Sequence, residues 1–191
     1  MAPKALVPKP VDLSGFGLEP EFADKLSQLL VWCQAHGMDF RISQGLRTPQ
    51  TQAKYYCQWS QRPPAKIDAA AKKMKDSGAP WLASVLLDHR DIPRTPNWLT
   101  SQLPGSGWHQ WGEAADCYCY RNGKMVQKGS DPVYKKYADA AESLGLTAGL
   151  FFSTPDAGHV QLRSQAGATN VFKWSEIDAT MKARFGDKPP V

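Results

Sequence analysis

Gly107-Trp108-His109-Gln110-Trp111-Gly112-Glu113-Ala114-Ala115-Asp116 is the stretch on which the reading of this chain turns. Its chemistry-bearing residues, His109 and Asp116, lie seven positions apart. On an α-helix they would share a face but sit about 10 Å apart along the axis, beyond the reach of a single ion. On one continuous strand they would point to opposite faces. They converge only where the chain turns between them, and Gly112 supplies the place for that turn. The stretch is therefore read as a loop feeding a strand over 114–120, with Asp116 near the start of that strand and the small Ala114 leaving room beside it.

A matching segment follows at Pro155-Asp156-Ala157-Gly158-His159-Val160-Gln161-Leu162. Val160 and Leu162 fit the buried face of a short strand over 159–163, which sends His159 and Gln161 to the other face. Asp156 stands three residues before His159, across a glycine-containing turn, where it can lean over the same spot. Taken singly, His109 also reads as a hydrogen-bonded histidine between tryptophans, and Asp156 as an ordinary turn residue.

The remaining elements fall into place around these two segments. Phe22, Leu26, Leu29, Leu30 and Cys33 recur at helical spacing from Pro20 onwards, and Gly37 closes the pattern. Residues 38–43 alternate as a short strand. Thr48-Pro49 is an N-cap followed by proline at the first helical position, opening a helix to about Trp59. Pro63-Pro64 breaks the chain before an Ala- and Lys-rich helix over about 65–77, with a short helix over 81–89 and a Pro/Ser-containing loop over 92–107. Asn122-Gly123 marks a tight hairpin. Asp131-Pro132 starts a helix that Gly145 ends, a strand is read over 147–152, and a last helix over about 174–185. Helices first and hairpin strands after them predict an α+β domain: a small antiparallel sheet packed against several helices. Residues 1–19, rich in Pro and Gly, read as an irregular arm, and 20–187 as a single domain with a helical insertion at about 60–105.

Composition narrows the classes. At 191 residues with 42% hydrophobic and 21% charged positions, the chain can bury a real core. It shows no internal repeat and no apolar run long enough to span a bilayer, so stable membrane insertion is not expected. The net charge of +5 favours an anionic partner, whether nucleic acid, a phospholipid surface or an acidic polymer such as bacterial cell wall. Nucleic acid is not expected, because the densest basic cluster, Lys72, Lys73 and Lys75, reads as a solvated helix face. The four cysteines, Cys33, Cys57, Cys117 and Cys119, match neither a disulfide framework nor zinc-ligand spacing, and read as buried small hydrophobes. The first twenty residues lack the apolar core of a secretory signal. Synthesis in the cytoplasm is therefore expected, and work outside it would need another means of carriage.

Two histidines and a carboxylate, with a further carboxylate beside them, are the parts of a catalytic zinc site: three protein ligands, a position left for water, and a base to take its proton. His-x2-Gly-x-Ala-x-Asp, then Asp-x2-His, preceded by Gly45-Leu46-Arg47-Thr48-Pro49-Gln50-Thr51-Gln52, resembles the zinc peptidases of peptidoglycan. That superfamily comprises D-alanyl-D-alanine carboxypeptidases and dipeptidases and L-alanyl-D-glutamate endopeptidases, with the hedgehog signalling domain as a relative. The resemblance covers about residues 20–163 and implies Zn²⁺ as cofactor, with His109, Asp116 and His159 as its ligands. It implies Asp156 as general base and Arg47 as the donor that stabilises the oxyanion. Gln52, Ser106, Trp108 and Gln161 are the implied substrate-contacting positions. Arg47 also reads as a structural ion-pair partner and Gln52 as a capping or surface polar residue. The chain departs from the family pattern at Gly107, where a serine is usual (Ser106 is one place earlier), and at Gln161, where a glutamate is often found.

The resemblance thus implies a metallopeptidase acting on bacterial peptide stems. The Asp at the base position and Trp-His-Gln-Trp-Gly-Glu-Ala resemble the endopeptidase and carboxypeptidase branches more than the dipeptidase branch. An endolysin-like L-alanyl-D-glutamate endopeptidase is favoured, with D-alanyl-D-alanine carboxypeptidase as the alternative, and a monomer is expected. A non-catalytic zinc-holding module that binds cell wall or protein is the alternative from another class. The retention of Asp156 and Arg47 argues against it.

Overall fold

The computed structural model describes residues 11–186, so the first part of the expected N-terminal arm and residue 187 lie outside the described residues. Among the described residues the architecture is α+β, with six α-helices and a small antiparallel sheet. The helices are α1 (Pro20–Ala35), α2 (Pro49–Cys57), α3 (Pro64–Asp76), α4 (Pro80–Leu87), α5 (Pro132–Ser143) and α6 (Trp174–Phe185). The strands are β1 (Asp39–Gln44), β2 (Ala114–Arg121), β3 (Lys124–Met125), β4 (Thr147–Ala148) and β5 (His159–Gln161), in the order β1-β2-β5-β4, with β3 paired to β2. Among the described residues no helix is long and apolar enough to cross a membrane.

The chain divides into two compact units. The first, whose described residues are 11–46 and 111–164, holds the whole sheet with α1 and α5. Strand periodicity builds its core. Ala115, Cys117 and Cys119 of β2 face inward with Phe40 of β1 and Val160 of β5, against Phe22, Leu26, Leu29 and Cys33 of α1 and Tyr134, Tyr137 and Ala141 of α5. The Phe40 ring stacks on Tyr137 at 4.2 Å between centroids and meets Tyr134 edge-on. Period two then turns Asp116, Tyr118 and Tyr120 to the opposite, less buried face of β2. At the β2–β3 turn Asn122 and Gly123 both have positive φ, 52° and 74°, as the expected Asn-Gly hairpin demands.

The second unit, with described residues 47–110 and 165–186, is helical. α4 packs against α2, α3 and α6, and Ile67, Met74, Leu82, Leu86, Ile177 and Met181 are buried. The long segment after α4 has no regular structure, yet it is fastened along its length. Arg90 forms a two-pronged ion pair with Asp68, Arg94 donates to the Cys57 carbonyl, and Thr95 exchanges backbone hydrogen bonds with Gln58 and Ser60.

Most element boundaries match the expectation within two residues. The strand expected over 147–152 is shorter: only Thr147–Ala148 pairs with β5, and Gly149–Phe151 coils into a 3₁₀ turn. All four cysteines are buried and unbridged, as expected of small core residues. Burial pushes the Cys57 thiol up to about 11 and those of Cys33 and Cys117 to about 12, so each keeps its proton near neutral pH.

α4 begins without a capping side chain of its own. Asp178, buried on α6, supplies one from a distance: its carboxylate accepts from the Leu82 backbone N–H at 2.7 Å and lies 3.4 Å from that of Trp81. Asp178→Ala leaves those buried donors unsatisfied and is expected to cost about 1–3 kcal/mol of stability, read as a lower urea midpoint at unchanged m-value.

Candidate metal centre

The site begins with strand register. β2 and β5 run antiparallel with Ala115 opposite Val160 and Asp116 opposite His159. Directly opposed residues project from the same face of a sheet at close range. Val160 and Ala115 go into the core, so Asp116 and His159 must emerge together on the other side. A bidentate ion pair from Arg163 to the buried Glu113, and the Leu162 N–H to the Glu113 carbonyl at 2.8 Å, hold this strand pair just beyond its paired residues.

His109 comes from the 3₁₀ turn Trp108–Trp111 that leads into β2. The turn ends at Gly112, whose φ of +75° only glycine adopts without strain, so the reversal expected there is present. The result is a cluster in which His109, Asp116 and His159 each offer one ligand atom, all within 4.8 Å of one another. No other group of this kind occurs among the described residues.

The hydrogen bonds around His159 bear on what this cluster can hold. Gln161 donates its amide N–H to the Arg163 carbonyl, which can only accept, so its Oε1 is the atom 3.1 Å from His159 Nε2. Nε2 therefore carries a proton. Nδ1 faces an Asp116 carboxylate oxygen at 3.1 Å, an arrangement that calls for a proton or a cation between them. Burial works to lower the His159 pKa, but the Asp116 hydrogen bond and charge, with the charge of Asp156, raise it above the ordinary value. Two imidazoles and a carboxylate suit Zn²⁺, and three protein ligands leave a position open for water. The cluster fits that ion.

Asp156 is not part of the cluster. It sits in the exposed turn before β5, its backbone N–H bonded to the Gly149 carbonyl at 2.9 Å and its carbonyl accepting from His159 N–H at 3.2 Å. Its charge reaches both His159 and Tyr118. Arg47 lies between β1 and α2, and its backbone N–H donates to the His109 carbonyl at 3.1 Å. Thr48 caps α2 through Oγ1, and Pro49 follows at the first helical position, as the sequence implies.

The residues expected near substrate lie mostly inside the protein. Trp108 is buried and gives its indole N–H to the Gln165 carbonyl at 2.7 Å. Ser106 is buried, with its hydroxyl beside Gln102 and the Leu103 carbonyl. Gln161 is 2% exposed and sits beside the His159 ring. Gln52 is 1% exposed and bonded to Arg47 at 2.9 Å. Three residues that the motifs do not single out, Thr100, Gln102 and Gln110, meet Gln52. Gln110 had a visible signal, an amide next to the candidate ligand His109, whereas Thr100 and Gln102 sit in a stretch with no periodicity.

Comparison with known proteins gives the family of the chain. The profile of the VanY family, D-alanyl-D-alanine carboxypeptidase, matches residues 15–162. The chain belongs to that family, whose members act as peptidases on peptidoglycan. Solved structures similar to this chain include the Serratia marcescens L-Ala D-Glu endopeptidase ChiX, at 16% identity and TM-score 0.41, covering 77% of this chain and 81% of that one. Another is the LD-carboxypeptidase LdcB, at 16% identity and TM-score 0.42, covering 84% and 67%. A third is a point mutant of the vancomycin-resistance D,D-pentapeptidase VanY in complex with Zn(II), at 15% identity and TM-score 0.44, covering 88% and 93%. Among curated proteins none matches the sequence significantly.

Gly149 packs directly on the site: a Cβ there would lie 2.6 Å from the Asp156 carbonyl oxygen and 2.8 Å from His159 Cβ. Gly149→Ala must displace both. It is expected to weaken zinc affinity by about 10–100-fold in competition with a chromophoric chelator, with far-UV circular dichroism unchanged.

Proposed function

We propose that this protein is a zinc-dependent peptidase that hydrolyses the peptide stems of bacterial peptidoglycan. The observation that carries the reading is the convergence of His109, Asp116 and His159, with Asp156 in the turn immediately before β5. Zinc held there supplies Lewis acidity to a water and to the scissile carbonyl. Asp156 takes the proton of the attacking water and returns it to the departing amine. Its place outside the three-ligand cluster suits a group that moves protons instead of holding the ion. Arg47, joined through its backbone to His109, directs its guanidinium to the carbonyl oxygen on which negative charge develops. Gln161 holds the His159 tautomer in which Nδ1 is the ligand atom.

The bond favoured is L-alanyl-D-glutamate, with the Asp at the base position and the Trp-His-Gln-Trp-Gly-Glu-Ala context supporting the endopeptidase and carboxypeptidase branches over the dipeptidase branch. A second reading, D-alanyl-D-alanine carboxypeptidase, is favoured by the description of the matching family. Action on the wall places the working protein in the periplasm or at the cell surface, reached through a holin or a secretion machine, and the net charge of +5 suits a polyanionic wall.

Purified muropeptides incubated with the protein and analysed by mass spectrometry decide between these bonds. Cleavage between L-alanine and D-glutamate supports the first, and release of free D-alanine the second. Neither product forms in the presence of chelator. Asp156→Ala is expected to retain zinc and lose about 10²–10⁴-fold in kcat. Full activity in that variant overturns the role of Asp156, and no cleavage by the zinc-loaded wild type overturns the peptidase reading.

A further inference from the structure

We propose that Gln52 is a positioning residue that fixes the Arg47 guanidinium, and that it is itself held by Gln110 and by the Thr100–Gln102 segment. The inference rests on the peptidase reading for its consequence in catalysis, but the geometry that carries it is independent of any metal. Gln52 projects from α2 and is 1% exposed, and Gln110, beside it, is fully buried. Gln52 Oε1 accepts from Arg47 Nη1 at 2.9 Å and lies 3.3 Å from Gln110 Nε2. Gln52 Nε2 donates to Thr100 Oγ1 at 3.0 Å and to the Gln102 carbonyl at 2.8 Å. An amide offers two donor hydrogens and two acceptor lone pairs, and all four are used here.

The direction of this network is fixed by chemistry at each end. A guanidinium can only donate and a backbone carbonyl can only accept, so the Gln52 oxygen must face Arg47 and its nitrogen must face Gln102. The Gly105 backbone N–H donates to Gln110 Oε1 at 2.7 Å, which leaves the Gln110 nitrogen pointing at the Gln52 oxygen. The amides therefore form a one-way chain from Gly105 to Gln110 to Gln52 to Gln102. A second anchor holds Thr100, whose Oγ1 also accepts from the Gln102 backbone N–H at 3.0 Å. Arg47 is bounded further by the Tyr55 ring, 5.1 Å from its Cζ, and by the backbone bond to His109.

This arrangement gives Gln52 a different task from touching substrate: its whole polar group is consumed by protein partners. It also gives the irregular segment after α4 a function. That segment supplies the two acceptors that set the Gln52 amide, and through it the direction of the Arg47 side chain. A donor that must meet an oxyanion gains by having its geometry set before substrate arrives.

The substitutions Gln52→Leu, Gln52→Glu and Thr100→Val test this, each alone and in an Arg47→Ala background, on the zinc-loaded protein with the muropeptide it cleaves. Gln52→Leu is expected to lower kcat about 10–100-fold with KM changed less than about threefold, because only a transition-state contact is lost. In the Arg47→Ala background it should lower kcat no further. Gln52→Glu keeps an acceptor for Arg47 but sets an anionic oxygen against the Gln102 carbonyl, so it should also lose activity. Thr100→Val should show the same kinetic signature with a smaller loss. Losses that multiply in the double variant, or that fall in KM, overturn the proposal. The guanidinium resonances of Arg47, assigned by Arg47→Lys and followed by ¹⁵N NMR on the full chain, give a readout without turnover. Slow rotation about Nε–Cζ in the wild type should become fast in Gln52→Leu and faster than wild type in Thr100→Val. Unchanged rotation in both variants refutes the positioning role even if the wild type cleaves no stem peptide, the result that would defeat the peptidase reading instead.

Discussion

The constraint on which the site depends is the pairing register between β2 and β5. With Ala115 opposite Val160, two small or branched side chains are committed to the core, and the next pair along, Asp116 and His159, is committed to the other face. A slip of one residue would bury the carboxylate and the imidazole and expose the apolar pair, a change that the core cannot absorb. The geometry of the candidate site is thus a by-product of ordinary hydrophobic sorting. Packing of Phe22, Leu26 and Tyr137 in the core on the inner face of the sheet holds the register that presents Asp116 and His159.

Much of this was legible along the chain. The Thr48-Pro49 and Asp131-Pro132 starts were written in local cap chemistry, which acts within one turn and needs no tertiary knowledge. The Gly112 reversal was also legible, since a histidine and an aspartate seven residues apart meet at one point only across a turn. The strand expected over 147–152 was overdrawn because Leu150, Phe151 and Phe152 have strand propensity, while the pairing partner β5 is only three residues long. Propensity cannot extend a strand past the end of its neighbour.

What stayed hidden is chemistry supplied across long separations. Nothing near Ala79 announces that α4 is capped by Asp178, and nothing near Thr100 announces a bond to Gln52. These contacts join residues far apart in the chain through single polar atoms, which leave no periodic trace. The family pattern marks Arg47 and Gln52 as a pair worth noting, but which atom faces which follows only from the carbonyl of Gln102 and the N–H of Gly105. The same holds for Gln161, whose amide orientation is set by the Arg163 carbonyl.

The sealed cysteines carry a consequence of their own. Cys33, Cys117 and Cys119 lie within one core beside Tyr137, unbridged, and burial keeps their protons on. Exchange with an external oxidant needs an accessible thiolate, and these sulfurs offer neither access nor charge. Among the described residues the fold thus holds no covalent cross-link that a reducing glutathione pool could break. A protein built this way can finish folding in one redox climate and do its work in another without rearranging a single bond.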